Sequence, residues 1–179
     1  MTLLTILEYP NPRLRIKAKP VESFNGELGR FIQNMYETMY HAKGIGLAAT
    51  QVDVHKRILV LDISENYDSP MVMINPKIIE KQGVIVYEEG CLSVPGIYEK
   101  VDRFEKIKVT YYTDDGVLNE LEAEGLLSIC VQHEMDHLEG KLFVDYLSSV
   151  KRSRLKKAIE KRSTSESSDP VRSVDKRAI

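Results

Sequence analysis

The chain has 179 residues, a formal net charge of −2, 42% apolar residues and 29% charged residues. This length and composition are those of one globular domain with a substantial core. The charge argues against wholesale or sequence-specific nucleic-acid binding, and no apolar run approaches the roughly 20 residues that span a bilayer. The short apolar start also lacks the length of a signal peptide, so we expect a cytoplasmic protein whose two cysteines are thiols.

The first helix is predicted between Asn25 and His41. Apolar residues recur there at helical spacing, and Gly44 follows as a stop. The segment Gly44–Gln51 comes next, and its two glycines let the backbone approach a ligand closely. Gln51 ends it with an amide that can donate to a negatively charged oxygen. A glycine pair after a helix is more often only a turn, so this segment is weak evidence by itself.

Short runs rich in β-branched and aromatic residues predict strands at Ile58–Ile63, Met71–Ile74, Gly83–Tyr87 and Ile107–Tyr112. The turn residues Asp114–Gly116 join the last of these runs to Val117–Glu122 in a predicted hairpin. Because the strands follow one another instead of alternating with helices, the order favours an α+β fold with a largely antiparallel sheet.

A helix predicted over Gly125–Leu138 contains the spacing H-E-x-x-H, from His133 to His137. Residues four apart lie on one face of a helix, so both imidazoles can bind one metal ion, with Glu134 beside it as a base. This is also the apolar face, where packing would hold the ligands rigidly. The alternative is a helix that merely happens to contain two histidines.

A catalytic metal site usually has three protein ligands and one open position for water. Cys91 is the favoured third ligand because it lies in a turn rich in glycine and proline at the end of a predicted strand. Glu139 and Asp145 lie too close in sequence to His137 to be good candidates for the third ligand. Glu160 is a poor candidate because it lies in a basic helix. A buried structural cysteine remains the alternative for Cys91. Cys130 can face the same cavity, but a fourth protein ligand would leave no place for water.

A third helix is predicted over Ser148–Arg162, with seven basic side chains and one acid. Such a run usually forms a solvated face, and otherwise contacts an anionic partner. From Ser163 to Ile179 the chain is rich in serine and poor in apolar residues, which predicts a flexible tail. We therefore expect one catalytic domain over residues 1–162, including the basic helix at about 148–162, and a tail over 163–179.

Three segments together resemble the motifs of the bacterial type of peptide deformylase, namely Gly44–Gln51, Glu89–Ser93 and Gln132–Gly140. The opening segment Tyr9–Leu14 is similar as well, so the resemblance covers about residues 1–162. It implies antiparallel sheets around a central helix that carries the H-E-x-x-H motif, with a C-terminal helix. It also implies a metal-dependent hydrolase that removes the formyl group from the N-terminal formyl-methionine of nascent chains and releases formate.

The resemblance further implies a role for each motif residue. Cys91, His133 and His137 would bind one divalent metal ion, with Fe²⁺ expected physiologically and Zn²⁺ or Ni²⁺ able to replace it. Glu134 would be the general acid/base, and Gln51 with the N–H of Leu92 would hold the oxyanion. Residues expected to contact the substrate are Gly44, Ile45, Gly46, Glu89, Arg103, Ile129, Cys130 and His133.

The expected partners are formyl-methionine nascent peptides and, through the basic C-terminal helix, the ribosome. We expect no membrane partner, and a monomer. Two alternatives stay open: a zinc endopeptidase, which shares the helix motif, and a metal-stabilised binding module on the ribosome. A binding module would not need Glu134, so the presence of that carboxylate argues against it.

Overall fold

The computed structural model describes residues 2–165 and 178–179. Within them the α-helices are Gly26–His41 (α1), Gly125–Leu138 (α2) and Ser149–Ser165 (α3). The strands are Gly46–Ala48 (β1), Ile58–Leu61 (β2), Met71–Gln82 (β3), Ile85–Cys91 (β4), Val94–Arg103 (β5), Lys106–Tyr112 (β6) and Leu118–Glu124 (β7). Short 3₁₀ helices lie at Pro12–Arg15, Ala49–Val52 and Phe143–Tyr146.

All the strand pairs are antiparallel within the described residues. Five strands form one sheet in the order β1-β2-β3-β6-β7, and β4 pairs with β5 in a two-stranded sheet. The predicted hairpin is confirmed, with Tyr112 opposite Leu118. The α+β class with antiparallel sheets is therefore confirmed. Strands β1 and β5 were not predicted, and β3 extends eight residues beyond the predicted Ile74.

Helix α1 begins where the sequence predicts it. The side chain of Asn25 accepts hydrogen bonds from the N–H groups of Glu27 and Leu28 at 3.1 and 3.0 Å, which satisfies two donors that the first turn leaves free. Its apolar face, with Met35 and Met39 at 0% exposure, packs against β1 and β2. This packing covers the β1 and β2 end of the five-stranded sheet.

Helix α2 has the bounds that the sequence predicts, and it lies at the centre of the molecule. Its first residue, Gly125, has φ +58, a left-handed conformation that glycine adopts without strain. The helix packs against β1, β2 and β7, and its middle is buried from Ser128 to Glu134. A helix with burial on several faces can hold polar side chains rigidly inside the protein.

The structure describes only the two ends of the predicted tail, so the tail over residues 163–179 stays a prediction. The helix continues to Ser165, and Leu155 within it is buried beside Phe143. Residues 178–179 lie against the glycine-containing segments around Gly44 and Gly90. The remainder of the predicted tail, residues 166–177, lies outside the described residues. In the described part of the chain, the helices are too short or too polar to cross a membrane.

The carboxylate of Asp62 stabilises the loop that follows β2 by hydrogen bonds. It is 0% exposed and accepts hydrogen bonds from the hydroxyl groups of Tyr40 and Ser64, at 2.9 and 2.6 Å. It also accepts from the N–H groups of Ser64 and Ser69, at 3.0 and 3.2 Å. Burial would raise the pKa of this carboxyl, but the hydrogen bonds outweigh burial and lower the pKa below its ordinary value of 3.8.

Asp62→Asn is expected to lower the free energy of unfolding by about 1–3 kcal/mol, because the amide presents a donor to groups that need an acceptor. The folded pKa of Asp62 lies below its unfolded value, so the stability it contributes is present above about pH 4 and is lost as the pH falls through the folded pKa. Urea unfolding between about pH 7 and pH 3 measures this. Equal pH dependence in the wild type and the variant would contradict the prediction.

Candidate metal centre and active site

The two histidines of the H-E-x-x-H motif lie one turn apart on α2. Each is 1% exposed, and their ring centroids are 5.0 Å apart with the planes at 70°. The hydroxyl of Thr50 donates to the carbonyl oxygen of His137 at 3.1 Å, which ties this turn of the helix to the segment after β1. Both imidazoles are therefore held by the fold before any ligand binds.

Cys91 reaches the same place from the end of β4. The pairing of β4 with β5 is irregular between Gly90 and Cys91, and such bulges redirect side chains. The Sγ atom lies 3.2 Å from Nε2 of His137. One atom each from Cys91, His133 and His137 can be chosen so that all three lie within 4.8 Å of one another. The structure thus brings together the three predicted ligands.

These donor atoms suit one divalent cation. Nε2 of His133 is buried and has no hydrogen-bond partner among the described residues, while its Nδ1 lies 2.7 Å from a carboxylate oxygen of Glu89. Donation from Nδ1 leaves a lone pair on Nε2 for a metal. Burial and the neighbouring His133 lower the pKa of His137 well below its ordinary value, so this ring is neutral.

The thiol of Cys91 is also suited to bind a divalent cation. Its burial, with the nearby Glu134, raises the pKa of the thiol, so the thiolate needs a cation beside it. A bound metal ion deprotonates a coordinating thiol. Thiolate and imidazole are both ligands of such ions, and three protein ligands would leave one position open, as in a catalytic site.

Glu89 and Arg103 form a buried ion pair behind His133. The guanidinium donates to the two oxygens of Glu89 at 2.6 and 2.9 Å, and to Asp136 at 2.6 Å. It also stacks 4.9 Å from the ring centroid of Tyr146. Burial would raise the pKa of Glu89, but the hydrogen bonds from Arg103 and His133 outweigh burial and lower it to about 2. Glu89 is therefore a carboxylate that orients His133.

The expected contact of Glu89 and Arg103 with the substrate stays a prediction, and the structure shows where the two side chains lie. Glu89 is 0% exposed and Arg103 is 5% exposed, and their hydrogen bonds are directed toward each other and toward α2. The reason is the register of β4 and β5, which sets Ile85 opposite Arg103 and leaves the arginine at the strand end that faces α2. Both residues lie behind the metal ligands and not in an open cleft.

Glu134 is buried beside β1 without a partner. It is 0% exposed, and neither carboxylate oxygen has a hydrogen bond within the described part of the chain. A Cβ atom on Gly46 would lie 2.5 Å from Oε1, so the carboxyl group packs directly on this glycine. Burial, with Glu89 nearby, raises the pKa of Glu134 well above its ordinary value. A buried, unpaired carboxyl costs stability and is typical of a group kept for proton transfer.

Gln51 points its amide nitrogen at the ligand cysteine. Its Oε1 accepts from the N–H of Ala48 at 2.7 Å, which fixes the amide orientation. Its Nε2 lies 3.1 Å from Oγ of Ser93 and 3.7 Å from Sγ of Cys91. The fold therefore brings a fixed donor close to the ligand cysteine, and the role of Gln51 in holding an oxyanion stays a prediction.

Of the remaining predicted residues, Ile45 lines a groove that Gly90 also borders, and Gly44 lies against the Leu92 side chain beside it. Ile45, Ile129 and Cys130 belong to one buried apolar cluster, and Sγ of Cys130 lies 3.7 Å from the Ile45 carbonyl oxygen. A Cβ atom on Gly44 would lie 2.7 Å from Cδ1 of Leu92, so any larger residue there would displace the Leu92 side chain.

Seven other residues that line this groove were not predicted: Ile63, Tyr87, Glu88, Gly90, Tyr98, Leu126 and Ile179. Gly90 carried a usable signal, because it directly precedes the ligand cysteine. A Cβ atom at this position would lie 2.5 Å from Cε1 of Tyr98. The two tyrosines and the leucine carry no local signal, since only the pairing of β4 with β5 and the packing of α2 bring them together.

Comparisons with a family model, with known proteins and with solved structures all identify peptide deformylases as the relatives of this chain. The family model described as polypeptide deformylase matches residues 3–153. A peptide deformylase from Chromobacterium violaceum is 59% identical over 162 residues, which are 90% of this chain and 97% of the relative. One from Hahella chejuensis is 57% identical over 162 residues, covering 90% and 96%.

Solved structures of peptide deformylases are similar to this chain in fold and in sequence. The crystal structure of a peptide deformylase from Legionella pneumophila has a TM-score of 0.89 and 44% identity, and covers 94% of this chain and 100% of its own. That of an Ehrlichia chaffeensis peptide deformylase in complex with actinonin has a TM-score of 0.86 and 38% identity, covering 90% and 98%. Members of this family are metal-dependent hydrolases that remove the formyl group from N-terminal methionine. The chain belongs to the peptide deformylase family.

Proposed function

We propose that Glu134 is the general acid/base in the hydrolysis of N-formyl-methionine by this chain, at a metal ion held by Cys91, His133 and His137. The observation that carries the proposal is the unpaired, fully buried carboxyl of Glu134 beside three convergent donor atoms. A structural metal site would have no use for a buried carboxyl without a partner.

The chain's residues supply the proton transfers. Cys91, His133 and His137 would hold a divalent ion, which would supply polarisation of a carbonyl oxygen and would lower the pKa of water from 15.7 to about 7. Glu134 accepts the proton of the attacking water, and its raised pKa suits a group that holds this proton temporarily. It then donates the proton to the methionine nitrogen as the bond to the formyl carbon breaks. The products are formate and a free N-terminal methionine.

Two donors are suited to stabilise the negative charge that develops on the formyl oxygen. The amide of Gln51 is fixed by its hydrogen bond to the Ala48 N–H, and the N–H of Leu92 points into the groove. Loss of one such donor typically costs about 10²–10³ in rate. The buried cluster with Ile45, Ile129 and Cys130 would receive the apolar methionine side chain.

The test is formate release from formyl-Met-Ala-Ser, with acetyl-Met-Ala-Ser as the matched substrate. We expect rapid release from the formyl peptide and no measurable deacetylation. A formyl group has only hydrogen on its carbonyl carbon, and the site is crowded, since Cβ on Gly46 would lie 2.5 Å from Oε1 of Glu134 and 3.0 Å from Sγ of Cys130. Exclusion of the acetyl methyl group then provides part of the specificity.

An internally quenched peptide with a blocked N-terminus completes the test. Cleavage of this peptide, without formate release from the formyl peptide, would favour the endopeptidase alternative. Metal-loaded, folded protein without either activity would contradict the proposed function and favour a binding module.

For the metal, we propose Fe²⁺ as the physiological ion, with Zn²⁺ or Ni²⁺ able to replace it. Imidazole and thiolate donors accept several first-row ions, and the thiolate beside Fe²⁺ offers oxygen an oxidisable target. Protein purified without oxygen is expected to contain about one iron per chain by elemental analysis. The iron form should lose activity on aeration, while the nickel form should keep it. An iron form that stays fully active in air would contradict this assignment.

Partners and location follow from the same function. Nascent formyl-methionine peptides are made on the ribosome in the bacterial cytoplasm, so we propose that the chain acts there, as a monomer. The exposed positions of α3 include Lys151, Arg152 and Arg154, while Leu155 anchors the helix to the core. Lys151 lies 2.7 Å from Glu99, so part of the basic face is already paired within the protein. We propose that the other basic side chains of this face contact the ribosome.

A further inference from the structure

Residues 178–179 lie between the segments around Gly44 and Gly90, in the groove where the substrate is proposed to bind. Ala178 pairs with Gly44 in a parallel bridge, and its carbonyl oxygen accepts from the Ile45 N–H at 3.1 Å. On the other side, the N–H of Ile179 donates to the Gly90 carbonyl at 3.2 Å. The groove therefore holds residues 178–179 by backbone hydrogen bonds to both of its walls, which is how an added strand binds.

The side chain of Ile179 fills apolar space. It is 2% exposed and belongs to the buried cluster that contains Ile45, Ile129 and Cys130. This is the cluster assigned above to the methionine side chain of the substrate. An apolar side chain between paired backbone segments satisfies both requirements of strand addition, affinity from the main chain and selectivity from a pocket.

Residues 178–179 also accept a hydrogen bond from a proposed catalytic donor. The N–H of Leu92, which would stabilise the formyl oxygen, donates to the Ile179 carbonyl oxygen at 3.3 Å. A substrate has its formyl end at this donor and extends away from N to C. Residues 178–179 run toward the same donor from N to C, so they lie in the opposite direction. The segment can therefore fill the groove without presenting a bond for hydrolysis.

We propose that residues 178–179 act as an internal competitor, which closes the groove of their own chain until a formyl peptide displaces them. This inference rests on the proposed function. A segment tethered to the enzyme has an effective concentration on the order of millimolar, so even weak binding keeps the groove closed much of the time. Saturating substrate removes the segment, so the contact should raise KM and leave kcat unchanged.

The test compares the metal-loaded 179-residue chain with Ile179→Asp, with Ile179→Val and with a chain that ends at Ser165. A buried aspartate disfavours docking, whereas valine keeps an apolar side chain of similar shape. If the groove is open in about 0.1–0.3 of the molecules, KM should fall about 3- to 10-fold in Ile179→Asp and in the shortened chain. KM should stay near the wild-type value in Ile179→Val, and kcat should be equal in all four proteins.

A second measurement does not depend on activity. Amide hydrogen exchange at Ile45 and Leu92 should be faster in Ile179→Asp than in the wild type, because both N–H groups lose their acceptors. A synthetic peptide of residues 173–179, added to the shortened chain, should raise KM and slow exchange at the same two amides. The same peptide with aspartate in place of Ile179 should do neither.

The outcomes separate the two proposals. Formate release with the same KM in all variants, and unchanged amide exchange, would overturn the docking inference and leave the deformylase assignment intact. Absence of formate release from every protein would overturn the proposed function, and the exchange data would still decide whether the segment docks. Exchange protection that rises with protein concentration would identify a second copy as the source of the segment and overturn the internal arrangement.

Discussion

Replacing Glu134 by glutamine is expected to lower kcat for formyl-Met-Ala-Ser by about 10³-fold, within the range of about 10²–10⁴ that general acid/base catalysis contributes. The amide has nearly the same shape as the carboxyl group but cannot accept or return a proton. Both oxygens of Glu134 are buried without a side-chain partner among the described residues, and only the backbone N–H of Ala48 lies close enough to lower the pKa of the carboxyl, so little structural hydrogen bonding is lost. We therefore expect the variant to fold and to bind one metal ion per chain.

The matched control is Glu139→Gln, which removes a carboxylate at the exposed end of the same helix. Glu139 pairs with Lys17 and Arg57 at 2.6 and 2.5 Å and lies outside the site. This variant should keep wild-type kcat and lose at most about 1 kcal/mol of stability, since partly exposed ion pairs contribute little. The free energy of unfolding of Glu134→Gln should equal or exceed that of the wild type, because a buried, unpaired carboxyl is removed.

Steady-state kinetics and elemental analysis on the same samples check both statements. A Glu134→Gln protein that keeps one metal per chain and more than a tenth of the wild-type kcat would show that another group transfers the proton. If Glu134→Gln loses the metal, its lower rate could come from the missing ion and not from the missing proton transfer. In that case, binding of the metal by Glu134→Asp would provide the comparison.

The metal site was predictable because its signals are local. The spacing of His133 and His137 follows from the helical repeat, and the bounds of α2 are those predicted from apolar spacing and Gly140. Cys91 is distant in sequence, yet the glycine before it and the proline after it indicate a turn at a strand end. A ligand could therefore be assigned before its contacts were known.

What the sequence did not predict depends on pairing between distant segments. Strand β1 has only three residues, too few to show a two-residue repeat. Strand β5 contains Pro95 and Gly96, which indicate a turn, but a strand in a two-stranded sheet has a free edge where a proline is tolerated. The positions of Arg103 and Ile179 follow from tertiary contacts alone, so local patterns identified neither the ion pair nor the docked segment.

Arg103→Met is expected to lower the free energy of unfolding by about 3–5 kcal/mol, because it leaves a fully buried Glu89 and a partly buried Asp136 without their cation. For a chain of this size the melting temperature should fall by about 6–20 °C, at about 2–4 °C per kcal/mol. The exposed pair of Arg13 and Asp53 gives the control, and Arg13→Met should cost no more than about 1 kcal/mol. Thermal unfolding measures both.

The double variant Glu89→Gln/Arg103→Met separates the two origins of this loss. If the unpaired charge of Glu89 is the main cost, the double variant should be more stable than Arg103→Met alone, since glutamine is neutral. The orientation of His133 would still be weakened, because an amide is a poorer acceptor for its Nδ1 proton than a carboxylate, and metal affinity should fall about 10–100-fold. A double variant that is less stable than Arg103→Met would show that Glu89 stabilises the fold through His133 and α2 more than through its arginine. Metal titration of the two variants then tells whether the ion pair serves mainly the fold or the ligand, because only the ligand role changes the dissociation constant of the ion.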